Sequence, residues 1–207
     1  MPRATPMPAD RRRAAIIAAT EPLLARHGHS VSTREIAAAA GVAEGTIFRV
    51  FPSKDAIIDA VVADAFDPSG VCADLAEIDP EQDLEDRLVR VAELLHARLT
   101  RVFSLFHTLA ARRAQPQAFA DVRARQQSER EVVVAAVAAV LAPDADRLRL
   151  PPAEAAGMLN ALLLATAHPL LSAGRPSSPR EVVDLLLHGL LRDPPRSPPA
   201  TPGAPPC

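Results

Sequence analysis

Thr33-Arg34-Glu35-Ile36-Ala37-Ala38-Ala39-Ala40-Gly41-Val42-Ala43-Glu44-Gly45-Thr46-Ile47-Phe48-Arg49-Val50 has the pattern of two short helices joined by a tight turn. Helices that cross at a steep angle need a small residue where their backbones touch, and Ala37 supplies it. The turn needs a positive φ, which Gly41 accepts at little cost. Ile36, Ala40, Val42, Ile47 and Val50 are the apolar positions that pin both helices to a third. Glu44, Gly45, Thr46, Phe48 and Arg49 are left outward on the second helix, and such a helix fits the major groove of DNA.

Working outward, Asp10 is placed to cap a preceding helix through Arg26, which Gly28 ends and Pro22 kinks or weakens. Ser32 and Glu35 have capping-box spacing. Pro52-Ser53 breaks the helix that begins near Glu44, and Ser53 caps a fourth, Lys54 to Phe66. Asp67 to Asp83 reads as turn-rich and acidic. Beyond it Leu84, Leu88, Val91, Leu95, Leu99, Val102, Phe106 and Leu109 form one helical stripe, with one helix or two left open. Pro116 begins a helix that becomes wholly apolar from Val132 to Ala142. Pro151-Pro152 begins another, to about Leu171, and Arg180 to Leu191 makes the last. Strand signals are nearly absent. The expected fold is all-α: an N-terminal three-helix helix-turn-helix unit, residues 10–54, followed by a larger helical unit, residues 55–192. Proline-rich tails, 1–9 and 193–207, flank them.

The 207 residues carry a net charge of −2, which by itself neither favours nor excludes a polyanionic partner. Its distribution says more: residues 1–54 are net +4, 55–95 net −10 and 96–207 net +4. Cys72 and Cys207 cannot staple a secreted scaffold of this size, no signal-peptide run follows Met1, and the apolar stretch from Ala155 to Ala173 holds Asn160, His168 and Pro169. These features point to a reduced, cytoplasmic protein without a membrane partner. His96 and His107 share a helical face but stand about 16 Å apart along it, too far to share one metal ion. No nucleophile elbow, Walker loop or metalloprotease run occurs, so neither an enzyme, a metal nor a cofactor is expected.

Gly45-Thr46-Ile47-Phe48-Arg49-Val50-Phe51-Pro52-Ser53-Lys54-Asp55-Ala56-Ile57 closely resembles the signature of the TetR family of bacterial transcriptional regulators. With Thr33 to Val42 the resemblance covers roughly residues 10 to 66. It implies a phosphate-contacting hydroxyl at Thr33, a residue at Arg34 that in some members reaches a base edge, and a further phosphate contact at Thr46. Phe48 stands where the family usually has tyrosine, so apolar contact survives and a phosphate hydrogen bond is lost. Lys54, the only lysine in the chain, falls where the family sets lysine against phosphate. Arg49 is outward and either meets DNA or is merely solvated, and the same holds for Arg11-Arg12-Arg13. Glu44 either reads a cytosine amino group or caps its helix. The resemblance further implies a regulatory helical half, a homodimer, a palindromic double-stranded operator, and a repressor released by a small-molecule inducer. A constitutive regulator, and a ligand-binding protein that has lost DNA binding, are the alternatives.

In the helical half, Leu99, Phe103, Phe106 and His107, with Phe119, Arg123, Asn160 and His168, are candidates for a pocket. It would hold an apolar or amphipathic ligand by one or two hydrogen bonds. The same spacing also fits a plain core. Leu159, Leu163 and Leu170, with Val183, Leu186, Leu187 and Leu190, are candidates for a dimer interface in which two helices from each subunit form a four-helix bundle.

Overall fold

The computed structural model describes residues 8–110, 116–168, 171–172 and 178–189, and the side chains of all of these except 106–110 and 116–126. Among them the chain is helical and has no strand. The helices are α1 (Ala9–His27), α2 (Thr33–Ala39), α3 (Glu44–Val50), α4 (Lys54–Phe66), α5 (Ser69–Ala76), α6 (Leu84–Ala110), α7 (Pro116–Leu141), α8 (Pro152–Ala167) and α9 (Pro179–His188). Short 3-10 turns at Gly28–Ser30 and Ala142–Arg147 follow α1 and α7.

Local chemistry explains most of these limits. Ser32 and Glu35 close a reciprocal capping box on α2: the Ser32 hydroxyl accepts from the Glu35 amide, and the Glu35 carboxylate accepts from the Ser32 amide at 2.8 Å. The Ser53 hydroxyl accepts from Ala56 and starts α4. Elsewhere the structure departs from expectation. Asp10 does not cap α1, which begins one residue earlier behind Pro8 with no side-chain cap. Pro22 lies inside α1 without ending it, because Ile16 and Leu24 on either side are fully buried and hold both halves of the helix.

The acidic stretch contains a helix, α5. Asp67 accepts from the Ser69 amide at 2.9 Å and turns the chain, while Val71 and Leu75 face inward. Asp79 and Asp83 accept likewise from the amides of Glu81 and Glu85, so part of the negative charge serves as local caps. The long stripe is one helix, α6, of 27 residues and about 40 Å. Helix α8 stops at Ala167, short of Leu171. Helix α9 starts at Pro179 behind a second capping box, Ser178 with Glu181; Leu190 and Leu191 lie outside the described residues.

Two buried clusters result. The smaller joins Ile16, Leu24, Ile36, Ile47, Phe51, Ile57 and Val61 from α1 to α4, and takes Val102 and Leu105 from α6. The larger joins Leu88, Val91 and Leu95 of α6 to Val133 and Val137 of α7, Leu159 and Leu163 of α8, and Val182 and Val183 of α9. Helix α6 thus serves both. At its C-terminal half the Arg101 guanidinium bridges Glu21 of α1 and Asp64 of α4, the latter at 2.7 Å. Near its start Arg87, only 2% exposed, donates to the Val140 carbonyl at 3.0 Å and pairs with Asp144, which also takes Arg147.

These two arginines should differ sharply in energetic weight. Arg87→Ala takes from the poorly exposed Asp144 its buried partner, leaving it the exposed Arg147 alone, strands the Val140 carbonyl, and is expected to lower stability by about 3 kcal/mol. Arg101, 40% exposed, should cost no more than about 1 kcal/mol when replaced by alanine. Urea unfolding of both variants followed by circular dichroism checks this. Equal losses would show that burial does not set the cost.

Candidate nucleic-acid interface

Helices α2 and α3 meet as their sequence requires. Ala37 and Ile36 are buried at the crossing, and Ile47 of α3 is fully buried against them. Gly41 sits in the turn with φ +66°, and the Val42 amide donates to the Ala37 carbonyl at 3.0 Å. A Cβ at Gly41 would meet nothing within 4 Å, so the demand for glycine is conformational rather than steric crowding.

The expected DNA-contacting residues fall into two groups. Arg34, Gly45, Phe48 and Arg49 are exposed, Phe48 at 54%, and Thr46 is half-buried. On α3 these residues form one outward surface, with Arg34 at the start of α2 beside it. The second group is engaged within the chain. The Thr33 hydroxyl donates to the Glu44 carboxylate at 2.6 Å, across the helix-turn-helix. Glu44 opens α3 but does not cap it; the residue before the helix is Ala43, which has no side chain able to do so. The Lys54 ammonium, half-buried, donates to the His29 carbonyl at 2.8 Å and so ties the start of α4 to the turn after α1. An ammonium has three protons, which leaves two for another acceptor. Of the three arginines near the N-terminus, Arg13 lies over the Phe51 ring, 4.4 Å from its centroid, so it packs on the core of the unit.

Glu35 carries a depressed pKa, first because the Ser32 amide and then because the Ser32 hydroxyl bonds its carboxylate. A depressed carboxyl stabilises the fold above its ordinary value of 4.5 and loses that effect as pH falls through its folded value.

Of the pocket candidates, the structure brings Phe103 and His168 together, ring centroids 4.7 Å apart and nearly perpendicular. Leu99 and Asn160 are buried, the latter at 6% exposure. The side chains of Phe106, His107, Phe119 and Arg123 lie outside the described residues. Sequence reading passed over Arg98 of α6, whose guanidinium donates to the Phe66 carbonyl at 2.6 Å and whose pKa is lowered by burial, against the opposing charge of Glu129. The interface candidates divide similarly. Leu159, Leu163 and Val183 are fully buried in the chain's own core, a correction to their expected place between subunits, because α8 and α9 turn them toward α6. Leu186 is half-buried and Leu187 exposed, while Leu170 and Leu190 lie outside the described residues. The large apolar residues left outward on α8 and α9 are Met158, Leu164, Leu185 and Leu187.

Residues 16–61 match the family model for bacterial regulatory proteins of the tetR family. That match covers most of the N-terminal unit. Solved structures extend the likeness in fold over most of the chain. A candidate TetR-family transcriptional regulator from Mesorhizobium loti is 21% identical, with a TM-score of 0.61 over 88% of this chain and 98% of its own. The fatty acid degradation regulator FadR from Bacillus halodurans is 20% identical, with a TM-score of 0.57 over 90% and 98%. The TetR-like regulator LfrR from Mycobacterium smegmatis, solved in complex with proflavine, is 22% identical, with a TM-score of 0.55 over 89% and 99%. No curated protein matches the sequence. Among the described residues no helix is long and apolar enough to cross a membrane.

Two substitutions test the construction of this unit. Gly41→Ala should cost about 1 kcal/mol, and Gly41→Asn less, since asparagine tolerates positive φ. Thermal melts of both variants check the order; an alanine no worse than asparagine would mean that the turn does not require its backbone angle. Ser32→Ala should lower Tm at neutral pH, and its deficit should shrink as pH falls from the ordinary carboxyl value of 4.5 through the lower folded value of Glu35.

Proposed function

We propose that the chain is a sequence-specific, homodimeric DNA-binding transcriptional regulator, a cytoplasmic repressor released from a palindromic operator by an apolar or amphipathic small molecule. The observation that carries the DNA-binding part is the outward surface of α3, where Phe48 and Arg49 are exposed beside the half-buried Thr46 and away from the buried Ile47 and Phe51. Arg34 flanks that surface and supplies a fork able to pair with a guanine edge or a phosphate. Lys54, with protons to spare beyond its bond to His29, suits a phosphate beside the start of α4. The ligand part is supported by the Phe103–His168 ring contact and by the burial of Leu99 on α6 and of the polar Asn160 on α8. The dimer is supported by the exposed Leu185 and Leu187 on α9, with Met158 and Leu164 on α8.

The first test is a mobility-shift titration on the DNA upstream of the chain's own gene, at two salt concentrations. Arg34→Ala or Arg49→Ala should each relax discrimination at particular operator positions by about 1–3 kcal/mol. Lys54→Ala should weaken binding to all duplexes alike and flatten the salt slope by roughly one charge. Unaltered discrimination in both arginine variants would place recognition elsewhere. For assembly, Leu185→Glu should give a folded monomer with lost operator affinity, read by light scattering beside the shift assay; a dimer of unchanged mass would remove α9 from the interface.

A further inference from the structure

We infer that Glu44 is a base-reading residue, held in place by Thr33, that selects a major-groove amino group, cytosine before adenine, in each half-site. The inference rests on the DNA-binding reading above and gives it one element of its specificity. Glu44 is exposed at the first turn of α3, and in a helix-turn-helix the N-terminal residues of the second helix are those that approach base edges. Among the described residues no arginine, lysine or histidine pairs with its carboxylate; its bond is to the Thr33 hydroxyl, at 2.6 Å.

That bond does two things. It spans the turn between α2 and α3, so one carboxylate oxygen is fixed relative to both helices while the other is left to accept. It also occupies the single hydroxyl proton of Thr33, which then positions Glu44 rather than donating to a phosphate.

An ionised carboxylate only accepts hydrogen bonds. In the major groove the only donors are the amino groups of cytosine and adenine. Guanine and thymine present carbonyl oxygens there, which a carboxylate repels. Adenine sets an acceptor nitrogen beside its amino group, so cytosine is the better match. An unpaired negative charge facing a polyanion also weakens binding to every duplex that does not offer such a donor. The same residue therefore rewards one base and penalises the rest.

The experiment is selection from a randomised duplex pool by the full chain, comparing wild type with Glu44→Gln, Glu44→Asp and Thr33→Val, each checked for helical content. Wild type should enrich cytosine about tenfold at one symmetric position of each half-site. Glu44→Gln, which can donate as well as accept, should lose that preference at that position alone while its affinity for random duplex rises. Glu44→Asp, one methylene shorter, should lose the preference without the gain in random affinity. Thr33→Val should keep the preference but reduce it. A glutamine variant that selects the same palindrome with the same base ratios overturns this inference and leaves DNA binding standing. A wild-type chain that enriches no sequence overturns both.

Discussion

One helix is shared by two cores, and the rest of the structure depends on that sharing. Helices α1 to α4 span residues 9–66, a length at which a chain on its own buries only about 60% of its surface. Val102 and Leu105 of α6 complete that core from outside it, while earlier turns of the same helix, through Leu88, Val91 and Leu95, lie in the larger one. No hinge divides the two uses, for α6 has neither glycine nor proline along its length. Arg101 then fixes the angle at which α1 and α4 lean on it. Its ion pairs are half-exposed and contribute little energy, but a fork that holds Glu21 and Asp64 at once permits few relative orientations. Phe103, which packs on His168, stands within one turn of Arg101 on this same helix.

The polar groups of the N-terminal unit divide between building it and facing outward, and residue type alone does not tell which. Lys54 is the sole lysine, yet its nearest acceptor is the His29 carbonyl; Arg13 spends its cationic face on Phe51; Thr33 serves Glu44. What is left for a polyanion near α2 and α3 is Arg34, Arg49 and the remaining protons of Lys54, with Arg11 and Arg26 exposed on α1. The charge balance turns abruptly negative after Lys54, with Asp55, Asp59 and Asp64 on α4. The positive excess of residues 1–54 therefore ends at Lys54, and the acidic side of α4 lies beyond it.

What the sequence made legible follows from range. Capping boxes, the Gly41 turn and the apolar stripe of α6 are written within a few residues of where they act, and α2, α3 and α4 lie where the sequence places them. Helix α5 escaped because its signals are two inward residues and an aspartate whose capping role looks like mere acidity. The pairs that join distant segments escaped for a different reason. Arg87 with Asp144, Arg101 with Glu21 and Lys54 with His29 have no periodicity to reveal them, since charged residues at such separations are ordinary solvated positions until the fold brings them together. For the same reason Thr33 and Glu44 read as two independent contacts to DNA, where the structure couples them.

The apolar helices near the C-terminus show how a correct pattern can assign the wrong faces. Leucines all round α8 and α9 argue for burial on two sides, and so do the residues that are out of contact with the core. But Leu159, Leu163 and Val183 are the inner side, committed to α6, which the chain covers by itself. Met158, Leu164, Leu185 and Leu187 are the outer side. On α8 the inner pair is four residues apart and Met158 and Leu164 are six apart, so each set keeps roughly to its own side of a 3.6-residue turn. Periodicity fixes that there are two faces; only packing says which is already occupied. A second copy of the chain, as proposed, would then meet the outer residues without disturbing the inner ones. That separation would let the proposed assembly change while the fold of each chain, and the α6 scaffold of its N-terminal unit, stays intact.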